Sequence, residues 1–454
     1  MAQPAVGVYV SVPFCKAKCT YCNFASGVFG AERMDGYVQR VCGEIAATRE
    51  RVAELVKMAE TAEFPARADS VYLGGGTPSL LGAEQLRRLF AALRAEFEIT
   101  KDAEVTMECA PGQLREETLE EMLRQGMNRV SFGVQSFVDR EAAAVGRLHT
   151  RKMCLSEIGR LRAAGAGNIN VDLIAGLPRQ TAASWRESVE AAIESEVPHV
   201  SVYMLEVDEE SRLWREMLKA GNREQGTGNT EQGTGNTEQG TVTPASQDRS
   251  PGTPTGNRLK YGASEVPSED EIAEWYGAAC EWLETAGVKQ YEISNFAREG
   301  HASRHNMKYW RRQPYVGYGL DAHSMLRTGE GAVRWANGDD LEGYLGYQAP
   351  GARRQGSAAL VQLGGGGEPE VEVIGREKAF EEALFLGLRM NVGVDLEALR
   401  AEFGEGLVRG ATDAMEDAEE AGLAERDGSW LRLTARGRMA SNEVFSRLLV
   451  GAAV

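Results

Sequence analysis

The sequence predicts an α/β protein, built as a partial (β/α)6 barrel of the TIM type followed by a smaller helical, winged-helix-like domain. Two observations support this fold. Short β-rich runs alternate with amphipathic stretches six times in the first two hundred residues, a rhythm typical of parallel βαβ units. A compact C-terminal region then combines helical patterns with one hairpin pattern, separated from the first region by segments poor in apolar residues.

The predicted strands are short runs bounded by turn residues, at 7–12, 70–73, 104–108, 129–134, 168–174 and 200–205. Apolar residues at helical spacing predict helices between them, at 37–60, 83–97, 116–124, 151–163 and 183–194. Right-handed crossovers between parallel strands would wind such a series into a barrel or part of one. In that architecture functional side chains gather at the carboxyl ends of the strands.

Composition divides the chain into five parts. We expect the barrel in residues 1–221 and a disordered low-complexity insertion in 222–268, where near-copies of Glu-Gln-Gly-Thr-Gly-Asn-Thr carry almost no apolar side chains. Residues 269–348 are predicted to extend the barrel with a helix at 269–285 and a strand at 291–296, and 349–375 to form a loop or linker. The C-terminal domain, 376–454, is predicted to contain helices at 376–389, 395–403 and 411–421, a hairpin at 423–433 and a closing helix at 435–449.

Charge and cysteine content restrict the class of protein. A formal net charge of −17 argues against a general nucleic-acid binder, and we expect the C-terminal domain to pack or to dock a partner rather than to bind DNA. No signal peptide and no apolar run of membrane-spanning length is recognised. Four cysteines occur singly, as expected of packed side chains in a reducing cytoplasm: Cys42, Cys109, Cys154 and Cys280.

Three further cysteines, Cys15, Cys19 and Cys22, form a C-x3-C-x2-C motif just after the first predicted strand. A cubane iron–sulfur cluster normally takes four thiolates, so three would leave one iron open to a cofactor. A structural zinc site would need a fourth ligand, and the nearest histidine in the sequence is His149. Spacing alone favours the open-iron cluster and leaves zinc binding or reactive thiols as alternatives.

Other polar residues follow the later strands. Gly74–Ser79, with the sequence Gly-Gly-Gly-Thr-Pro-Ser, follows the second strand, where glycines let the backbone approach a ligand. Glu108, Gln135 and Asp172 lie at or near the next three strand ends, and Arg147 comes shortly after. These side chains either close the barrel end through internal hydrogen bonds or bind a polar cofactor there; position alone leaves both readings open.

Together these motifs resemble the radical S-adenosylmethionine (SAM) superfamily. Val-Ser-Val-Pro-Phe-Cys, Ser-Phe-Gly-Val-Gln-Ser (131–136) and Val-Asp-Leu-Ile-Ala-Gly-Leu-Pro (171–178) are similar to its coproporphyrinogen oxidase-like branch. Tyr-Glu-Ile-Ser-Asn-Phe-Ala-Arg (291–298), His-Asn-Met-Lys-Tyr-Trp (305–310) and Ser-Asn-Glu-Val-Phe (441–445) resemble the haem chaperones of the HemW family. The resemblance covers nearly the whole chain apart from the insertion and the 349–369 loop.

The resemblance implies a cofactor set and its residues. Three thiolates, Cys15, Cys19 and Cys22, would hold a [4Fe–4S] cluster whose open iron binds SAM; one electron from the cluster would split SAM to methionine and a 5′-deoxyadenosyl radical. The implied SAM-binding residues are Tyr9, Tyr21, Gly75, Gly76, Thr77, Glu108, Gln135, Arg147 and Asp172.

The implied haem residues are those of the HNxxYW motif: His305, Asn306, Tyr309 and Trp310. Imidazole is a good axial iron ligand and aromatic rings pack a macrocycle, whereas the alternative is a structural role for His305 beside a buried Trp. Arginines near the motif could pair with propionates: Arg298, Arg304, Arg311 and Arg312.

The function implied is a haem chaperone, related to porphyrin biosynthesis, that passes haem to an acceptor protein. We expect it in the cytoplasm, where peripheral contact with the membrane is compatible with the sequence. A respiratory protein is a candidate acceptor, and flavodoxin or ferredoxin is a candidate electron donor. SAM binding and cleavage are implied without coproporphyrinogen oxidase activity. The alternatives are an oxygen-independent coproporphyrinogen III oxidase and a non-catalytic cluster scaffold. Phe24 stands where the oxidases typically have a further cysteine, which favours the chaperone. The sequence departs from the family's Gly-Pro-Gly-Ala-His-Ser at Leu320 and Asp321, which is expected to alter the loop before His323.

Overall fold

The computed structural model describes residues 5–59, 64–207, 211–218, 265–329, 331–346 and 370–446. Most of the predicted insertion, 222–264, lies outside the described residues, as does 349–369 of the predicted linker. Within the described residues no helix is long and apolar enough to cross a membrane.

Six parallel strands form the first part of a large sheet, and each predicted strand is present. They are β1 (Val6–Val12), β2 (Arg67–Gly75), β3 (Glu98–Cys109), β4 (Arg129–Gln135), β5 (Asn168–Ala175) and β6 (His199–Met204). The helices between them are α1 (Glu32–Ala46), α2 (Thr48–Ala59), α3 (Ala83–Glu96), α4 (Glu116–Arg124), α5 (Asp139–Ala144), α6 (Arg151–Ala163) and α7 (Ala182–Glu194). A short helix, α8 (residues 212–218), follows β6. In the described part of the chain the sheet does not close on itself, which confirms a partial barrel.

The strands alternate between an apolar and a polar face, as the period of two in a β-strand requires. Val6, Val8, Val10 and Val12 of β1 are buried on one face. The other face carries polar side chains in matching register: Ser11 on β1, Ser70 and Tyr72 on β2, Glu104, Thr106 and Glu108 on β3, Arg129 and Ser131 on β4, Asn170 and Asp172 on β5. The concave side of the barrel is therefore a polar interior rather than a hydrophobic core.

The predicted helix at 37–60 is two helices, with α1 ending before Ala47 and α2 starting at Thr48. Thr48 Oγ1 donates a hydrogen bond to the Ile45 carbonyl at 2.6 Å and contacts the Tyr318 hydroxyl at 2.6 Å. This side chain satisfies the end of α1 and ties the break to the sheet. The periodicity of the sequence continues across the break and does not reveal it.

The sheet extends beyond the six predicted strands at both edges, to twelve strands. Helix α9 (Glu269–Thr285) comes next in the described chain. The predicted strand at 291–296 after it is a hairpin of β7 (Lys289–Glu292) and β8 (Asn295–Ala297). The Glu292 carboxylate accepts a hydrogen bond from Ser294 N at 3.0 Å and stabilises the turn between the two strands. At the other edge β9 (Tyr315–Tyr318) pairs with β1 in parallel, and β10 (His323–Arg327), β11 (Ala332–Ala336) and β12 (Glu370–Ile374) follow antiparallel. Strand β12 corrects the end of the predicted linker, 349–375, because residues 370–374 of that range form a strand that pairs with β11.

Two helices accompany this extension, α10 (Arg304–Trp310) and α11 (Leu341–Gly346). The C-terminal domain has its own hydrophobic core, formed by α12 (Arg376–Leu388), β13 (Val394–Asp395), α13 (Leu396–Phe403), α14 (Glu405–Glu420), the hairpin β14 (Ala424–Asp427) and β15 (Trp430–Leu433), α15 (Ala435–Met439) and α16 (Ser441–Ser446). The predicted hairpin at 423–433 is confirmed.

Two predicted C-terminal helices have different bounds. Helix α14 starts six residues before the predicted position of 411, after Gly404, whose φ of +89° permits the sharp change of direction. The predicted closing helix is interrupted at Ala440, between α15 and α16. The described residues end at 446, so the last part of that prediction, 447–449, lies outside them.

Candidate functional site

A pocket of about 300 Å³ opens at the carboxyl ends of the parallel strands. It brings together the three cysteines of the C-x3-C-x2-C motif and the predicted SAM-binding residues, Tyr9 excepted. Those present are Cys15, Cys19, Cys22, Tyr21, Gly75, Gly76, Thr77, Glu108, Gln135, Arg147 and Asp172. Residues from the ends of four strands, β2 to β5, and from two loops, the cysteine loop and the segment between α5 and α6, therefore face one space.

The cysteine loop is held at both ends by backbone hydrogen bonds. Cys15 N donates to the Gly27 carbonyl at 2.9 Å, and Gly27 N donates to the Pro13 carbonyl at 2.9 Å. Burial raises the pKa of the Cys15 and Cys22 thiols, so they keep their protons at neutral pH until a metal replaces them.

The turn at the end of β2 needs glycines because of its backbone conformation. Gly75 has φ of +103°, which a residue with a side chain rarely adopts. A Cβ on Gly76 would lie 2.8 Å from the Phe14 carbonyl oxygen and 2.9 Å from that of Val12. The turn thus packs against the end of β1, and Gly75, Gly76 and Thr77 line the pocket.

Two half-buried carboxylates, Glu108 and Asp172, line the pocket. Glu108 accepts hydrogen bonds from the Tyr72 hydroxyl at 2.9 Å and from Gly75 N at 3.2 Å. Asp172 accepts one from Asn170 Nδ2 at 2.7 Å. Burial, and then the charge of Asp172, raises the pKa of Glu108 to about 7; burial also raises the pKa of Asp172. Two carboxylates in a space that is poorly solvated attract a cationic ligand.

Arg147 links the cysteine loop to β4. Its Nη1 lies 3.4 Å from Cys19 Sγ, and its Nη2 donates to the Gly133 carbonyl. Its Nε is buried and has no hydrogen-bond partner among the described residues. Gln135, at the end of β4, has φ of +70°, a strained conformation for a residue with a side chain. Within the part of the chain that the structure describes, the pocket thus contains one donor without a partner, Arg147 Nε, and one strained residue, Gln135.

We predict that Glu108→Gln changes the pH dependence of stability in the protein without ligand. Folding raises this pKa from 4.5 to about 7, so the folded state holds the proton to higher pH than the unfolded state. The stabilising contribution is complete below pH 4.5 and is lost as pH rises towards 7. From pH 5 to pH 8 the unmodified protein should therefore lose about 2 kcal/mol of unfolding free energy relative to Glu108→Gln.

Urea denaturation at the two pH values measures this difference. Glu98→Gln is the control, because Glu98 lies on the same strand with its side chain 72% exposed. If the difference in unfolding free energy between Glu108→Gln and the unmodified protein is the same at pH 5 and at pH 8, Glu108 does not titrate in this range.

A second cavity, of about 500 Å³, adjoins the first, and five aromatic side chains are part of its lining, so we call it the aromatic cavity. The two share Phe24 and Gly75 in their linings. The second cavity is bordered by Tyr9, Tyr309, Trp310 and Tyr315, by Arg312 and Arg334, and by Asp321 and His323. Tyr9, predicted to contact SAM, thus lies on the far side of Gly75 from the cysteines.

The HNxxYW motif is placed by α10, which lies against the concave face of the barrel. The Glu104 carboxylate on β3 accepts hydrogen bonds from Arg304 N and His305 N, both at 3.0 Å, and Lys308 Nζ reaches the Ala5 carbonyl at 2.8 Å. The first turn of the helix is thereby fixed inside the barrel. Its last residues, Tyr309 and Trp310, line the aromatic cavity.

His305 does not line that cavity. It is 1% exposed, its Nδ1 is 2.9 Å from Ser70 Oγ and its Nε2 is 2.8 Å from the Tyr309 hydroxyl. Burial, and then the nearby Lys308, lowers its pKa to about 3, so the ring is neutral. Asn306 is also absent from the cavity lining. A haem contact for these two residues stays a prediction.

Several pocket residues were not singled out from the sequence. Ser131 and Gly133 lie on the same face of β4 as Gln135, and Tyr203 lies near the end of β6. The spacing of two along β4 was the available signal. Cys109, assigned to packing, also borders the pocket; its thiol is buried and contacts the Met107 carbonyl at 3.9 Å.

Of the four arginines named near the HNxxYW motif, only Arg312 reaches the aromatic cavity. Arg334 also borders this cavity, although the sequence analysis did not single it out.

Comparison with known proteins agrees with this arrangement. The profile of the radical SAM superfamily matches residues 9–192, and that of the HemN C-terminal domain matches 375–440. The heme chaperone HemW of Synechocystis sp. is 31% identical over 85% of this chain and 78% of its own. The chain belongs to the HemW family of radical SAM proteins. HemW of Bacillus subtilis is 28% identical over 97% of this chain and 98% of its own length.

Among solved structures, coproporphyrinogen III oxidase (HemN) from Escherichia coli superposes with a TM-score of 0.71 at 19% identity, covering 98% of this chain and 90% of its own. That similarity establishes a shared fold between the HemW family member described here and HemN. It confirms the predicted order of a radical SAM partial barrel and a smaller C-terminal domain.

Membership of the radical SAM superfamily implies a [4Fe–4S] cluster and SAM, and the residues of the pocket fit both. The three cysteines are free and share one pocket with exposed glycine backbone and two carboxylates.

Proposed function

We propose that the protein is a haem chaperone: it binds haem in the aromatic cavity, beside a SAM-coordinated [4Fe–4S] cluster, and passes the haem to an acceptor protein. The observation that carries this proposal is the junction of the two cavities. The thiol-lined pocket and the aromatic cavity meet at Phe24 and Gly75, so a cofactor in one lies next to a ligand in the other.

In the first pocket Cys15, Cys19 and Cys22 would hold three irons and leave the fourth to SAM. Bound there, the cluster supplies the electron that can cleave SAM to methionine and a 5′-deoxyadenosyl radical. The Gly75–Thr77 backbone would meet the polar ends of SAM. Glu108 and Asp172 would balance its positive charge, and Arg147 would offset the charge of the thiolates.

The second cavity suits a flat macrocycle with acidic side chains. Tyr309, Trp310 and Tyr315 supply aromatic surface. Arg312 and Arg334 supply cations, and both pair with the Glu382 carboxylate, at 3.6 Å and 2.9 Å. Among the described residues Arg312 Nη2 and Arg334 Nε still have no hydrogen-bond acceptor although both atoms are buried. Buried guanidinium donors without acceptors favour a ligand that brings carboxylates, as haem propionates do.

Phe24 distinguishes this site from an oxidase site. Its side chain is 63% exposed and borders both cavities, at the position where the oxidases typically carry a cysteine. A bulky apolar ring at the junction adds surface for haem. Coproporphyrinogen oxidation therefore has less support here, although the fold is shared. The acceptor, the electron donor and a cytoplasmic location stay predictions.

Trp310→Ala tests the proposed haem cavity. We expect the protein with its cluster reconstituted to bind haem, and the variant to bind it roughly tenfold more weakly, because a large aromatic contact is removed. Trp282→Ala is the matched control, since Trp282 packs on α9 against Arg186, away from the cavity. Haem titration by absorbance measures the affinities.

SAM cleavage and coproporphyrinogen turnover should be assayed on the same preparation. Efficient conversion of coproporphyrinogen to protoporphyrinogen would overturn the chaperone proposal. So would the absence of a haem complex in the unmodified protein.

A further inference from the structure

We propose that His323, rather than His305, is the axial ligand of the haem iron. This inference rests on the proposed binding of haem in the aromatic cavity. Among the described residues that line the cavity, His323 is the only histidine. Its side chain is 64% exposed, so the imidazole can meet a ligand without rearrangement of the core.

Of the other four histidines, three are hydrogen-bonded elsewhere and one lies outside the cavity lining. His305 has both ring nitrogens in buried contacts with Ser70 and Tyr309. His199 lies between Asn170 Oδ1, at 2.6 Å, and the Tyr291 hydroxyl, at 2.9 Å. His149 Nε2 contacts the Val134 carbonyl at 3.0 Å. His301 is outside the cavity lining. Recruiting His305 would break two buried hydrogen bonds and leave their partners unsatisfied.

The backbone around His323 is rigid. Asp321 N donates to the Gly338 carbonyl, and Asn337 N donates to the Ala322 carbonyl, both at 3.0 Å. Ser324 Oγ, fully buried, accepts a hydrogen bond from Gly317 N at 2.9 Å. These hydrogen bonds fix the point at which the His323 side chain leaves the strand, and the exposed imidazole can turn about its side-chain bonds to meet an iron.

Asp321 gives the imidazole a carboxylate neighbour. Its Oδ1 lies 3.6 Å from His323 Nε2, and both residues border the cavity. Asp321 occupies the left-handed region with φ of +54°, which aspartate tolerates better than most residues. The change from the family's glycine therefore keeps a turn and adds a carboxylate. Carboxylates beside metal-bound histidines hold the ring tautomer and make the imidazole a stronger donor.

The arginines complete a binding pose. Arg312 and Arg334 border the same cavity as His323, and their unpaired nitrogens are candidates for the propionates. Tyr309 and Trp310 provide the aromatic wall. The iron and the carboxylates of one haem would then be met by side chains from β10, β11 and the segment after α10.

The experiment compares ferric haem with metal-free protoporphyrin IX in the protein with its cluster reconstituted. His323→Ala should lose the imidazole-ligated absorption and electron paramagnetic resonance spectrum and bind haem roughly tenfold more weakly. Its affinity for protoporphyrin IX should not change, because that ligand has no iron to coordinate. Added imidazole should restore the ligated spectrum. Asp321→Asn should retain imidazole ligation but shift the iron–histidine vibration seen by resonance Raman.

His301→Ala is the control and should leave both ligands bound as before. His305→Ala should keep the imidazole-ligated spectrum. If the unmodified protein binds neither haem nor protoporphyrin IX, the proposed function fails. If it binds haem and His323→Ala leaves the spectrum unchanged, haem binding stands and the assignment of His323 is wrong. A phenolate or thioether spectrum in the unmodified protein, from Tyr309 or Met325, would also overturn it.

Discussion

Alanine in place of Cys19 is expected to abolish the iron–sulfur cluster that we propose. With one thiolate removed, only two would remain in the loop, and no neighbouring histidine lines the pocket among the described residues. Iron and sulfide content after anaerobic reconstitution, and the visible absorbance of the cluster, should fall nearly to background. Cys15→Ala and Cys22→Ala should have the same effect.

Cys109→Ala and Cys42→Ala are the matched controls. Cys109 borders the same pocket, but its thiol is buried, whereas Cys42 lies on α1 outside the pocket. Both variants should keep the full cluster. Loss of iron from Cys109→Ala would instead indicate four cysteine ligands and would remove the open iron on which SAM binding depends. Survival of the cluster in Cys19→Ala would show that the ligand assignment is wrong.

Alanine in place of Glu104 is expected to destabilise the protein by about 3 kcal/mol and to weaken haem binding. The Glu104 carboxylate is 5% exposed and accepts hydrogen bonds from Arg304 N and His305 N. Its removal leaves two donors unsatisfied at the start of α10, each costing about 1–3 kcal/mol if it stays buried. Because α10 also positions Tyr309 and Trp310, its displacement would reach the aromatic cavity.

Urea denaturation and haem titration measure the two effects. Glu104→Gln keeps one acceptor oxygen and should recover part of the stability and of the affinity. Glu98→Ala, at the exposed end of the same strand, should change neither. A loss of stability without any loss of haem affinity would show that α10 does not hold the haem cavity in place.

Much of the barrel follows from local sequence. Each of the six strands was predictable because its apolar face is a run of branched side chains, such as Val6, Val8, Val10 and Val12. The polar residues at the strand ends were visible for the same reason, since Glu108 and Asp172 interrupt apolar sequence. Parallel strands carry such residues to one edge of the sheet, so the cysteines and the polar residues of the strand ends could be grouped before the fold was known.

Local sequence was less informative where pairing decides the structure. The strands β9 to β12 are four or five residues long, and they form because β1 and then each added strand offers an unpaired edge. The break between α1 and α2 depends on Tyr318, 270 residues from Thr48. No periodicity within a helix reports a partner so distant in the chain.

The sequence alone determined the cysteine triplet, the glycine turn and the order of the motifs, because each of these is recognised from residues that are close together in the chain. The direction of each side chain was decided only by tertiary structure. His305 and Tyr309 are one helical turn apart, yet Glu104 and Ser70 hold the imidazole inside the barrel while the tyrosine ring faces the aromatic cavity. His323, which the sequence analysis gave no role, reaches the same cavity because β10 is paired into the sheet at that register. Buried hydrogen-bonding groups must be satisfied by whichever partners the fold supplies, and those partners come from distant segments of the chain.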